Sequence, residues 1–224
     1  MRARFSDAMI SLGIHTAGPF CGVAILKDGE IVAEQETAMR RGHDQFLPGI
    51  VEETAKASGV NLMELSSVSV CVGPGSFTGI RIGVAFARGL ALSNNVKAIG
   101  VSSLEALLGK PPKTNTLVLL PAKIRPPDLT FWAQHFNDEG LSDPIELSAY
   151  DVQSFVEGGA KIVANFEAAE TLSGILPGVE VERAEAKAAG VPLWASTAAK
   201  NVLREPSPLY VRAPDAIPAK SPLL

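Results

Sequence analysis

Val72-Gly73-Pro74-Gly75-Ser76-Phe77-Thr78-Gly79-Ile80-Arg81-Ile82-Gly83 is the stretch on which the fold turns. Before it, Val68-Ser69-Val70-Cys71-Val72 reads as a buried strand. After it, residues 78–92 read as a helix. The elbow between them holds Gly73 and Gly75, which can take backbone angles closed to other residues. Ser76 or Thr78 can cap the helix through its hydroxyl. Free amides at such an elbow can hold an anion, so Gly73, Gly75, Ser76 and Thr78 form a candidate anion-binding loop. A tight turn with no ligand fits the same residues.

The helix says more than the loop. At about 100° per residue, Ile82, Phe86 and Leu90 fall on one side. Ile80, Val84, Ala87 and Ala91 fall on another, with Gly79 and Gly83 between the two. Arg81 and Arg88 form the polar edge. This apolar arc is wider than a surface helix needs. One side can pack on the strand's own sheet. The other either lies inside a single subunit or awaits a second chain, and the glycines would let another backbone come close.

These residues resemble the signature of the TsaB (YeaZ) family, bacterial partners in making threonylcarbamoyladenosine on tRNA. The likeness continues in Ala85-Phe86-Ala87-Arg88-Gly89-Leu90-Ala91 and Ile99-Gly100-Val101-Ser102-Ser103-Leu104, with a weaker echo in Pro208-Leu209-Tyr210-Val211-Arg212. It is sharp over residues 66–107, loose before them and poor over 111–191. The resemblance implies an actin-like ATPase (ribonuclease H-like) fold of two α/β subdomains. It also implies a non-catalytic subunit that pairs with TsaD, is joined by the small ATPase TsaE, and meets tRNA only through that complex. Pairing with a second copy of itself is a further possibility in the family. No cofactor, metal or catalytic residue is expected.

Composition agrees with a folded protein of one large or two small domains. The chain has 224 residues, 46% of them hydrophobic, and a net charge of -4 from 20 basic and 24 acidic side chains. That balance argues against broad binding to nucleic acid through a basic surface. Cys21 and Cys71 lie in apolar strand-like runs and read as buried free thiols of a reducing compartment. No apolar run reaches the roughly 18 residues that span a membrane. Residues 1–8 carry two arginines with no apolar core behind them, so they do not read as a signal peptide. A cytoplasmic location is the expectation.

Residues 9–14, 20–26 and 31–36 read as three strands, the last two joined at the Asp28-Gly29 hairpin. In ATP-using members of the implied fold, an aspartate in the first turn handles metal and phosphates. TsaB relatives usually keep Asp-Thr there, where this chain has His15-Thr16. Imidazole is a poor magnesium ligand, so His15 is expected merely to cap the turn. Residues 44–57 read as a helix with Phe46, Leu47, Ile50, Val51 and Thr54 along one face and Pro48 near its first turn. In TsaD such a helix carries two metal-binding histidines four residues apart. Here the position four after His43 is Leu47, so His43 reads as a cap or interface residue. The family's pairing uses these first two helices, which makes Leu47, Ile50, Val51, Ile80, Val84 and Ala87 the interface candidates.

Gly109-Lys110-Pro111-Pro112-Lys113 marks the boundary. The expected division is 1–110 as the N-terminal subdomain, 111–193 as the C-terminal one, 194–204 as a helix returning to the first half, and 205–224 as an extended proline-rich tail. Relatives follow the first strand of the second half with Asp-Ala-Arg, where this chain has Pro121-Ala122-Lys123. Trp132 and Phe136 share one side of a strand and read as core rather than as a base-stacking platform. Two other classes compete with the subunit reading. One is an ATP-dependent enzyme of this fold or a glycoprotease-like (M22) protein. It is disfavoured by the missing carboxylates, the absence of a G-x-x-x-x-G-K-[ST] loop and the lack of a His–Asp relay for Ser76. The other is a homodimeric interaction protein with a different task.

Overall fold

The computed structural model describes residues 8–39, 41–125, 128–138 and 140–211. Most of the expected N-terminal arm, the tail beyond 211 and Arg212 lie outside the described residues. The first lobe opens with an antiparallel meander of β1 (Ile10–His15), β2 (Phe20–Lys27) and β3 (Glu30–Ala38). Then come α1 (His43–Ser58), β4 (Ser67–Gly73), α2 (Phe77–Asn94), β5 (Lys97–Ser102) and α3 (Ser103–Leu108). β4 pairs parallel with both β1 and β5, giving the sheet order β3-β2-β1-β4-β5.

The second lobe repeats this plan without repeating the sequence. β6 (Thr116–Arg125) and β7 (Asp128–Asn137) pair antiparallel. The outer edge of β7 is covered by the short β8 (Gly140–Leu141) and β9 (Ile145–Ser148). α4 (Ala149–Glu157), β10 (Lys161–Ala164), α5 (Phe166–Ile175), β11 (Val181–Arg183) and α6 (Gly190–Thr197) follow. The order β9-β7-β6-β10-β11 matches that of the first sheet, with β10 parallel to β6 and β11.

Two cores form, and β6 divides between them by its period of two. Leu117 and Leu119 join Phe131, Val152, Ile162 and Leu172 in the second core. Val118 and Leu120 face the first, with Leu12, Ile14, Val70, Ile80 and Trp194. α6 leaves its own sheet and packs on α3, β1 and β4 of the first lobe. Trp194 is 1% exposed and meets Phe136 edge-on at 5.7 Å between ring centres, so it ties β7 to the first core. The helix was expected over 194–204 and starts earlier because Pro192 sits in its first turn, where a missing N–H is harmless. Residues 200–202 form a separate 3₁₀ turn.

Both cysteines are free and buried, and burial pushes each thiol up to about 11. No helix among the described residues is long and apolar enough to cross a membrane.

Candidate functional site

The elbow after β4 is built against the turn between β1 and β2. Gly73 has φ +104°, a left-handed conformation that favours glycine. Ser76 N–H donates to the Ala17 carbonyl at 2.8 Å. Ser76 Oγ accepts from Gly79 N–H at 3.2 Å and caps α2, while Thr78 takes no part in the cap. Thr16 Oγ1 donates to the Gly79 carbonyl at 2.8 Å. A Cβ on Gly79 would lie 2.0 Å from the Thr16 carbonyl oxygen, and one on Gly83 would lie 2.3 Å from Thr16 Oγ1. The backbone these glycines admit is therefore the chain's own. Because Gly79 meets a carbonyl rather than a flexible side chain, Gly79→Ala should lower stability by about 1–3 kcal/mol through overpacking. Urea unfolding would measure it, and an unchanged midpoint would contradict the packing role.

Between the lobes this turn and elbow border a cleft of about 330 Å³. Its walls include His15, Phe20, Pro74, Ser76, Leu120, Pro121, Trp132, Asn165 and Glu167. Trp132 is half-buried here, while Phe136 on the same side of β7 is core. His15 does not cap the turn as expected. It is 2% exposed, its ring lies 4.8 Å from that of Phe20, and neither ring nitrogen has a hydrogen-bond partner. Burial lowers its pKa from 6.5 to about 4, against smaller opposing pulls from the Glu36 carboxylate and from its own backbone.

The neutral ring is thus part of the folded state. Stability from it is complete above pH 6.5, falls as pH drops towards 4, and changes no further below that. At about 1.4 kcal/mol per pH unit the loss should total about 3 kcal/mol. Urea unfolding between pH 7 and 4 on wild type and His15→Gln checks this. An equal fall in both proteins would rule out His15 as its source.

His43 also departs from expectation. It is the first residue of α1, 3% exposed, and the N-cap is Gly42 with no side-chain bond. A residue so buried in the subunit neither caps the helix nor reaches an interface. Pro48 lies inside α1 rather than in its first turn, on the solvent side. Among the described residues no group of three or more His, Cys, Asp or Glu is placed to hold a metal.

The six interface candidates need correcting. Leu47, Ile50, Val51, Ile80, Val84 and Ala87 are all buried in this one chain, at 0–6% exposure. They belong to the first core, where α1 lies on β2 and α2 lies on β4. The wheel separates two apolar flanks but not which one the sheet takes. The small residues Gly79, Gly83, Ala87 and Ala91 let α2 approach the sheet closely. The other flank is only partly covered, with Ile82, Phe86 and Leu90 packed against the rim of the first core. Ile82 and Phe86 are half-buried, Ala85 and Gly89 are exposed, and Leu92 is 83% exposed. On α1, Phe46 is 51% exposed. A Cβ on Gly49 or Gly89 would meet nothing within 4 Å. At the head of α2 the Arg81 guanidinium lies 3.7 Å over the Phe77 ring, and its Nε donates to the Tyr210 hydroxyl at 2.9 Å.

Two lobes of one topology around a cleft define the actin-like ATPase fold. YeaZ from Pseudomonas aeruginosa shares it, with a TM-score of 0.67 at 20% identity over 90% of this chain and 99% of that one. A family model for TsaD, tRNA N6-adenosine threonylcarbamoyltransferase, matches residues 30–122. The Escherichia coli (strain K12) tRNA threonylcarbamoyladenosine biosynthesis protein TsaB is 36% identical over 130 residues, 57% of this chain and 55% of that protein. An uncharacterized protein of Mycobacterium tuberculosis (strain H37Rv) is 32% identical over 211 residues, 92% of this chain and 93% of its own length. The chain belongs to the TsaB (YeaZ) family. It spans about half the length of the curated TsaB relatives it matches.

Proposed function

We propose that this protein is the non-catalytic partner of a TsaD-type transferase in making threonylcarbamoyladenosine on tRNA, with TsaE as a further member of the complex. The observation that carries the reading is the two-sided helix α2. Its small side is used by its own sheet, and its outer side presents Ile82, Ala85, Phe86, Gly89 and Leu92. The match to the TsaD family model covers all of α1 and α2. Two lobes of like shape can then set these helices against each other about a pseudo-two-fold axis. Holding the transferase in one of its conformations needs only that this contact be better in that state.

The absence of chemistry in this chain is part of the proposal. His15 stands in the first turn, where ATP-using members of the fold place a carboxylate, and a neutral imidazole is a poor magnesium ligand. The net charge of -4 fits a subunit that leaves tRNA to the complex. Reconstitution with TsaD, TsaE and tRNA tests the reading. Modified tRNA is expected only when this chain is added. Modification at full rate without it would overturn the proposal.

A further inference from the structure

Arg81 and Arg88 are the only charged side chains of α2, which carries no acidic residue. At about 100° per residue, Arg81, Ala85, Arg88 and Leu92 fall within about 60° of one another, and all four are exposed. Both arginines therefore stand on the outward face itself.

The two are held differently. The Arg88 side chain makes no hydrogen bond, ion pair or ring contact among the described residues. Arg81 is pinned. Its guanidinium lies 3.7 Å over the Phe77 ring and 5.9 Å from the centre of the Tyr210 ring, and the two rings stand 5.1 Å apart. Its Nε donates to the Tyr210 hydroxyl at 2.9 Å. Tyr210 is anchored in turn through its neighbour, since Leu209 N–H donates to the Val72 carbonyl at 2.8 Å. The side chain has thus given up its rotamer freedom before any partner arrives. Its two terminal nitrogens have no protein partner among the described residues. Such an arginine offers a fixed planar fork of N–H donors, which matches a carboxylate bidentately.

A partner that covers this face takes the guanidinium out of water with it. A buried charge left without a mate is strongly destabilising, and α2 supplies no mate. The counter-charge has to come from the other chain. A nucleic-acid phosphate fits less well. The guanidinium already covers a face of the Phe77 ring, so that face is closed to a base, and two arginines on a chain of net charge -4 make a sparse basic surface.

We propose that Arg81 is a specificity-determining residue of the pairing, donating through its terminal nitrogens to an Asp or Glu carboxylate of the TsaD-type partner. Phe77 and Tyr210 are the residues that position it. The inference rests on the pairing reading and adds one charged anchor at the head of α2.

The test is calorimetry of the full chain with a TsaD-type partner. Arg81→Met keeps the apolar stem, removes the charge and should weaken pairing roughly tenfold or more. Arg81→Lys keeps the charge without the fork and should weaken it roughly threefold or more. Tyr210→Phe frees the guanidinium and should weaken it roughly threefold. Arg88→Met, on the same face but unpinned, should change it by less than about threefold. The lone variants should keep the wild-type melting temperature. In the Arg81→Lys complex a carbodiimide should join the introduced amine to an Asp or Glu of the partner, read by mass spectrometry. Undiminished pairing of Arg81→Met, in a system where the wild-type chain does pair, would overturn the proposal and leave the pairing itself standing. So would a loss confined to tRNA binding by the complex, or an equal loss with Arg88→Met. Failure of the wild-type chain to pair would overturn both readings.

Discussion

Replacing Arg204 with alanine should destabilise the protein by about 3 kcal/mol, because it strips the counter-charge from a buried carboxylate. Glu105, at 1% exposure, sits in the first turn of α3. Its Oε2 accepts from Ser102 N–H at 2.7 Å. Its Oε1 accepts from Gln134 Nε2 at 3.1 Å and from Arg204 Nη2 at 2.5 Å. Ser102 Oγ closes the ring by accepting from Glu105 N–H and donating to Gln134 Oε1. One lobe supplies Ser102 and Glu105, the other supplies Gln134, and the C-terminal segment supplies Arg204. Breaking a buried pair by removing one partner costs about 3–5 kcal/mol. The low end applies here because the Arg204 side chain is 20% exposed and two neutral donors stay on the carboxylate. The double variant Arg204→Met with Glu105→Gln should recover much of the loss. A double-mutant cycle by urea unfolding checks it. An Arg204→Ala loss below about 1 kcal/mol would place the pair among ordinary surface bridges.

The second large effect separates the two flanks of α2. Ala85→Glu and Phe86→Glu place a carboxylate on the outward side, and Val84→Glu places one in the core. Ala85→Glu should leave the lone subunit within about 0.5 kcal/mol of wild type. It should weaken pairing with a TsaD-type partner by about 3 kcal/mol or more, roughly two orders of magnitude in affinity, because the charge becomes buried without a mate. Phe86→Glu should have the same sign with a larger effect on folding, since that ring is half-buried. Val84→Glu should unfold the subunit itself, because Val84 is only 4% exposed. Circular dichroism separates the two kinds of failure. If Ala85→Glu pairs as well as wild type, the outward flank is not the contact.

The fold was legible where local rules act. The β-branched run before Gly73 and the Asp28-Gly29 hairpin each fix an element within a residue or two of its place. β6 runs on to Arg125 through Pro121, where a register shift between Pro121 and Lys123 accommodates the ring. α6 begins before Trp194 because Pro192 is harmless in a first turn. β8 and β9 are too short to leave a pattern.

The site was less legible, for a physical reason. Periodicity finds the apolar flanks of α2 but cannot say which one meets β4. Residue size held the clue, since Gly79, Gly83 and Ala87 suit close packing and Phe86 does not. The contacts of Gly79 with Thr16 and of Glu105 with Arg204 join residues 63 and 99 positions apart, beyond any local motif. His15 was visible as a substitution, but its burial against Phe20 belongs to the tertiary structure.

The most direct measurement is to mix this chain with a TsaD-type partner and determine the mass of the product by light scattering after gel filtration. A complex of the two chains is expected, and it should be lost with Ala85→Glu while both proteins stay folded. Separate elution of the wild-type chains at concentrations well above micromolar would contradict the role assigned to α2.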